Sequence, residues 1–197
     1  RIRGPEGSTV TLTIFSDGDE EAREVKIIRK AIVVPSLKLE IKDGVAVVRL
    51  LNFNADASET FRRAVREVRK LKGKKLVLDL RNNPGGFLET SQDIASWFLP
   101  RGTVVVYELD AGGNRIPFVS KGFEALEGYK VVVLVNRGSA SASEILAGAL
   151  RDNLGVKLVG EKTFGKGSVQ ELINLPDGAV LKITTAKWLT PNGTSIN

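Results

Sequence analysis

The 197-residue chain has no histidine, no cysteine and no methionine, and only 6% of its residues are aromatic. Each absence removes a class of chemistry. Without histidine there is no Ser–His–Asp triad and no imidazole base. Without cysteine there is no thiolate nucleophile and no disulfide. With both missing, the usual Cys/His zinc site cannot be built, and no metal or organic cofactor is expected. A cysteine-free chain suits an oxidising or a reducing compartment equally. The missing methionine includes the initiator, which leads us to expect a processed chain or an excised piece, truncated at both ends. No run approaches the roughly 18 apolar residues of a membrane-spanning helix, and no signal-peptide pattern is read in these residues. The net charge is +6, yet the densest basic stretch, residues 62–75, carries no interleaved aromatics. It reads as the solvated face of a helix, and nucleic-acid binding is not expected.

What is present is a globular composition, with 42% hydrophobic and 26% charged residues, on enough chain for a substantial core. Residues 1–34 hold an alternating strand at Val10, Leu12 and Ile14 and a second strand-like run over residues 24–34. So little apolar surface could not fold alone. Pro35 and Ser36 mark the passage to a second region, residues 35–197. There a hairpin turns at Asp43-Gly44, and a helix capped by Ser58 carries Phe61, Ala64, Val65, Val68 and Leu71. A buried strand covers 76–80, a helix 88–99 and another buried strand 131–135. Hairpins are expected around 110–114 and around Pro176-Asp177-Gly178. Strands alternating with helices argue for an α/β domain with crossover connections.

Three places could carry chemistry. Residues 136–150 read NRGSASASEILAGAL, three serines alternating with alanines at the start of a helix. The plain reading of Ser141-x-x-Glu144 is a capping box. A serine there also meets free N–H groups and the positive end of the helix dipole, which suit an oxyanion. Residues 160–170 read GEKTFGKGSVQ, with Lys166 between two glycines. Its plain reading is a solvated turn lysine. In a chain without His or Cys, however, a serine paired with a lysine is the main remaining route to acyl transfer. Such a lysine must be uncharged to take a proton, which calls for burial away from counter-ions. Gly160-x-x-x-x-Gly165-Lys166 also approaches a phosphate-binding loop. Gly167 stands where that motif needs Ser or Thr, and a strand pattern follows instead of a helix. Thirdly, Arg81-Asn82-Asn83-Pro84-Gly85-Gly86 follows a buried strand. It is either a tight turn or a place where backbone N–H groups meet a ligand.

SASASEILAGAL followed by GEKTFGKGSVQ closely resembles the C-terminal processing (tail-specific) serine peptidases, and the likeness covers nearly the whole chain. The resemblance implies that Ser141, rather than Ser139 or Ser143, is the nucleophile and Lys166 the general base. It also implies that Gln170 supports the lysine and that Asp152 is an accessory residue. Reaching Lys166 from Gln170 would require a bend or a helical turn after Gly167, since four residues of straight strand span about 13 Å. A Leu-Arg-x-Asn-x-Gly-Gly element in the family matches residues 80–86. It implies an oxyanion hole of Ala142 with Gly85 or Gly86, Gly86 being favoured.

The implied fold is a crotonase/Clp-like spiral protease core over 35–197, preceded in 1–34 by the C-terminal strands of a PDZ domain. The implied activity is hydrolysis of peptide bonds near the C-termini of protein or peptide substrates, in the cell envelope or another extracytoplasmic compartment. Homo-oligomerisation is left open. Two alternatives are carried: a catalytically silent peptide-binding or scaffold module of the same fold, and a crotonase-like acyl-CoA enzyme.

Overall fold

The computed structural model describes residues 2–32, 34–176 and 178–197. The strand-like run over 24–34 and the turn at 176–178 each include one residue, Val33 and Asp177, that lies outside the described residues. The chain divides into two compact units, Arg1–Val34 and Pro35–Asn197.

The first unit is an antiparallel hairpin of β1 (Thr9–Ile14) and β2 (Arg23–Ile28). Arg29 ties its ends together, donating from its guanidinium to Ser8 Oγ at 2.7 Å and to the Ile2 carbonyl at 2.9 Å. β2 ends earlier than the apolar run suggested. Ile32 and Val34 are exposed and lie outside any strand, because hydrophobicity alone cannot make a strand without a neighbour to pair with.

The second unit contains a five-stranded sheet in the order β3 (Leu37–Lys42), β4 (Val45–Leu50), β5 (Lys75–Asp79), β8 (Lys130–Val135), β9 (Lys157–Gly160). β3 and β4 form the antiparallel hairpin, and the remaining neighbours are parallel. Parallel neighbours need crossovers. α1 (Ala57–Val68) joins β4 to β5, and α3 (Ala142–Leu154) joins β8 to β9. Between β5 and β8 run α2 (Leu88–Ala95) and the hairpin of β6 (Val104–Asp110) and β7 (Arg115–Val119). β10 (Ser168–Asn174) and β11 (Val180–Leu189) extend that hairpin into a four-stranded antiparallel sheet ordered β10-β11-β6-β7. The result is an α/β fold with one mixed and one antiparallel sheet.

Leu76 and Leu78 from the central strand and Leu80 just past its end meet Phe53, Phe61, Ile94, Leu146 and Leu150 in one continuous core. α1 buries Phe61, Ala64, Val65 and Val68, as its periodicity requires. Its N-cap is Asp56 rather than Ser58. The Ser58 hydroxyl instead donates to Asp93 Oδ2 at 3.0 Å. α2 is shorter than the apolar pattern over 88–99 suggested, and turns continue the chain from Ser96 to Leu99. All three candidate segments leave the carboxyl ends of adjacent parallel strands. Residues 81–86 follow β5, 136–141 follow β8 and 161–167 follow β9. Loops at the carboxyl ends of parallel strands are where α/β proteins build their sites.

Candidate active site

The three alternating serines do not share one environment. Ser139 and Ser143 are fully buried. The Ser139 hydroxyl donates to the Leu80 carbonyl at 2.8 Å, and that of Ser143 donates to the Asn83 carbonyl at 3.0 Å. Both hydroxyls hold the backbone of residues 80–83. Ser141 alone is partly exposed, and it sits at the N-cap of α3 with φ 56° and ψ −116°. A side chain at positive φ is costly, about 1–3 kcal/mol, and such outliers cluster at functional sites. The surroundings enforce this one. A side-chain carbon placed on Gly85 would lie 2.8 Å from Ser141 Cβ and 3.0 Å from the Ala142 nitrogen. Only glycine at 85 lets the two loops approach so closely.

The two glycines differ in what their N–H groups do. The Gly85 N–H donates to Asn83 Oδ1 at 2.9 Å. Around Gly86, the Phe53 N–H donates to the Gly85 carbonyl and the Phe87 N–H to the Phe53 carbonyl, both at 2.9 Å. That parallel bridge leaves the Gly86 N–H without a partner among the described residues. Ala142, the first residue of α3, presents the other open N–H, as the first turn of a helix must. Gly86 has φ 148°, and any side chain there would run into the Phe53 backbone.

Glu144 is the residue whose part the sequence concealed. It is 5% exposed, and no cation pairs with it among the described residues. Its Oε2 accepts the N–H of Ser141 at 2.8 Å and of Lys166 at 2.9 Å, and its Oε1 accepts that of Gly165 at 2.7 Å. One buried carboxylate thus fastens the serine segment to the lysine segment. The capping-box pattern gave the Ser141 contact. Nothing in the spacing could give the two contacts some twenty residues further on.

Lys166 stands beside Ser141 in this backbone arrangement, but its side chain is not buried as the sequence reading required; the residue is exposed. Gln170 is exposed on β10, opposite Thr184, just past a bulge between Val169 and Gln170. The bulge supplies an irregularity after Gly167, yet no hydrogen bond joins Gln170 to Lys166 among the described residues. Asp152 lies eleven residues into α3, roughly 16 Å along the helix from Ser141. Its carboxylate accepts from Arg151 Nε at 2.7 Å and from the Asn192 N–H at 3.0 Å. Burial pushes its pKa up, but Arg151 and the other donors outweigh that and hold it below the ordinary value. The structure therefore places Asp152 with the turn at residues 190–193, apart from Ser141 and Lys166.

The strand leading to Gly85 ends in a similar anchor. Asp79 is 3% exposed and takes two hydrogen bonds from the Arg81 guanidinium at 2.9 and 2.8 Å and one from the Arg81 N–H at 3.0 Å. Burial acts to raise its pKa, and the Arg81 bonds prevail and lower it. A cavity of about 360 Å³ lies on the side of α3 lined by Glu144, Arg151, Lys162 and Thr190, and neither Ser141 nor Lys166 lines it. Among the described residues no cluster of acidic side chains could hold a metal ion, and no helix is long and apolar enough to cross a membrane.

A strained serine at a helix start, open backbone donors beside it and a lysine segment tied to it are the parts of a serine peptidase site. Residues 44–197 match the family described as peptidase family S41, and the chain belongs to that family. It is 43% identical over 196 residues to the carboxyl-terminal-processing protease of Synechocystis sp., covering 97% of this chain and 45% of that protein. It is 37% identical over 202 residues to the carboxy-terminal-processing protease of Bartonella bacilliformis, covering 100% and 46% respectively. A solved photosystem II D1 C-terminal processing protease matches with a TM-score of 0.80 at 32% identity, over 98% of this chain and 54% of its own. The resemblance read from residues 139–170 is thereby borne out. The chain spans about half the length of the curated relatives it matches.

Proposed function

We propose that this chain carries the catalytic machinery of a serine endopeptidase that cuts near the C-termini of protein substrates, with Ser141 as nucleophile and Lys166 as base. The observation that carries the reading is the Glu144 carboxylate, which holds Ser141 and Lys166 in one framework while the hydroxyls of Ser139 and Ser143 are engaged elsewhere. In the first step Lys166 Nζ takes the proton of Ser141 Oγ, which attacks the scissile carbonyl. The oxyanion accepts from the N–H groups of Gly86 and Ala142. The lysine proton passes to the leaving amine, which departs with the C-terminal fragment. Lys166 then deprotonates a water molecule, whose attack on the acyl group frees the new carboxyl terminus and returns a proton to Ser141. A peptide lying across the site excludes water from Lys166, supplying the burial that the free chain lacks. Gln170, near the start of β10, is assigned the part of orienting the amine once the peptide is bound. Asp152 acts at a distance, by fixing the turn at residues 190–193.

The same reading takes residues 35–197 as a crotonase/Clp-like spiral core and residues 1–34 as the last strands of a PDZ domain. It expects the protein to act in the cell envelope or another extracytoplasmic compartment, on substrates captured by their C-terminal region.

The exposure of Lys166 favours one competing reading, a silent peptide-binding module of the same fold. A fluorophosphonate probe and a peptide-hydrolysis assay separate the two. The peptidase reading expects labelling at Ser141, and loss of about 10⁴-fold or more in turnover for Ser141→Ala and for Lys166→Ala, with little further loss in the double variant. Turnover that survives Ser141→Ala would sink it.

A further inference from the structure

The Asn83 side chain is fully buried and stands at the junction of three chain segments. Its Nδ2 donates to the Leu50 carbonyl at the end of β4, at 2.8 Å. Its Oδ1 accepts the Gly85 N–H at 2.9 Å. Its own carbonyl accepts the Ala140 N–H and the Ser143 hydroxyl, both at 3.0 Å. Two of these bonds reach the serine segment, one reaches the glycine pair and one reaches the sheet.

A buried asparagine needs partners, so satisfaction alone would be a structural matter. The choice of partner is what bears on chemistry. Two adjacent glycines offer two N–H groups for one oxyanion. By taking the Gly85 N–H, Asn83 removes that donor from the site and fixes the Pro84–Gly85 peptide unit, while the Phe53 N–H, bonded to the Gly85 carbonyl, holds the next unit, whose Gly86 N–H stays open. Its carbonyl meanwhile fixes Ala140, two residues before Ala142, whose N–H is the second donor. One residue thus sets both donors relative to each other.

We propose that Asn83 is the positioning residue of the oxyanion hole: it commits the Gly85 N–H and registers the Gly86 and Ala142 N–H groups against Ser141. The inference rests on the Ser141–Lys166 peptidase reading. Oxyanion donors act on the transition state, so displacing them lowers kcat and leaves ground-state binding alone.

The test compares the full-length protein with Asn83→Ala and Asn83→Ser, followed by kcat, KM, inhibition by a peptide boronate and affinity for a product peptide. The expected result is a fall in kcat of about 10²-fold, since displacements near 1 Å cost that much. KM and product affinity should stay within about threefold, and boronate inhibition should weaken in step with kcat. A folded variant, judged by its circular dichroism, with kcat within threefold of the parent or unchanged boronate inhibition overturns the proposal. Should both variants fail to fold, semisynthetic amide-to-ester replacement at Gly85 and at Gly86 decides. Loss at 86 much larger than loss at 85 supports the assignment, and the reverse order overturns it. Ser141→Ala is measured alongside. If it still turns over, the peptidase reading has failed, whereas an inactive Ser141→Ala beside an unaffected Asn83→Ala fails the inference alone.

Discussion

Two seams close on the segment that starts α3, and they are built differently. On one side the serine segment meets residues 80–86 through neutral groups. The amides of Asn82 and Asn136 bond across the gap, with Asn136 Nδ2 donating to Asn82 Oδ1 at 2.9 Å and Asn136 Oδ1 accepting the Asn82 N–H at 2.8 Å. Ala140, Ser139 and Ser143 add three more bonds. On the other side the serine and lysine segments meet at one carboxylate, Glu144, and at the Phe164 N–H, which donates to the Ser139 carbonyl at 3.0 Å. A distributed seam tolerates the loss of one member. A seam that depends on one carboxylate for most of its bonds tolerates it less. In bonds across the gap, the seam to residues 80–86 is therefore the redundant one and the seam to residues 164–166 the fragile one, Asn83 excepted, whose side chain alone takes the Gly85 N–H.

The largest effect should come from breaking the fragile seam. Glu144→Ala leaves three part-buried N–H groups without this acceptor, at a cost of up to about 1–3 kcal/mol each. We expect it to lower kcat by about 10³-fold and the urea midpoint markedly. Glu144→Gln keeps one acceptor oxygen and turns an amide against the other donors, and should fall between Ala and the parent. On the redundant seam, Asn82→Ala should cost less than about tenfold in kcat and about 1–2 kcal/mol in stability. An Asn82 variant as damaged as the Glu144 variants would erase the contrast.

The sequence made much of this legible. The order of strands and helices, the α1 stripe and the glycine pair were all readable, because each depends on local periodicity or on one residue's conformational freedom. The resemblance in residues 139–170 marked Ser141 and Lys166 where local chemistry could not choose among three serines. Glu144 was legible only as a cap, since its bonds to Gly165 and Lys166 exist only after β9 has returned the chain. The choice between Gly85 and Gly86 was hidden for the same reason. It depends on which N–H Asn83 takes, a tertiary fact. Ser58 looked like a cap until Asp56 took the position.

A smaller effect follows from pH, and it bears on the anchor of the redundant seam. Asp79 has its pKa lowered in the folded protein, so it binds a proton less readily there than in the unfolded chain. Its contribution is therefore complete above the unfolded value of about 3.9 and is lost as pH falls through the lowered folded value. Thermal melts of the parent and Asp79→Asn should differ most near neutrality and converge below about pH 4. A gap that persists unchanged into acid would mean Arg81 holds its loop without the charge.

Smallest of all should be the effect of Ser143→Ala on catalysis. Its hydroxyl serves only the Asn83 carbonyl, which keeps the Ala140 N–H. Activity should stay within about tenfold, with about 1 kcal/mol lost in stability. Fluorophosphonate labelling rates for Ser143→Ala and Ser141→Ala, set side by side, give the check: the first should react and the second should not.

The lysine segment leans on residues 188–197. The Trp188 N–H donates to the Gly167 carbonyl at 2.7 Å, the Ile196 N–H donates to the Trp188 carbonyl at 3.2 Å, and a side chain on Gly165 or Gly167 would run into Asn197 or Ile196. During synthesis the serine segment, the glycine pair and most of the core emerge first, and the seat of Lys166 is finished only once Ile196 has appeared. The order of translation thus separates two events: the serine segment is made well before the seat of residue 166 can close.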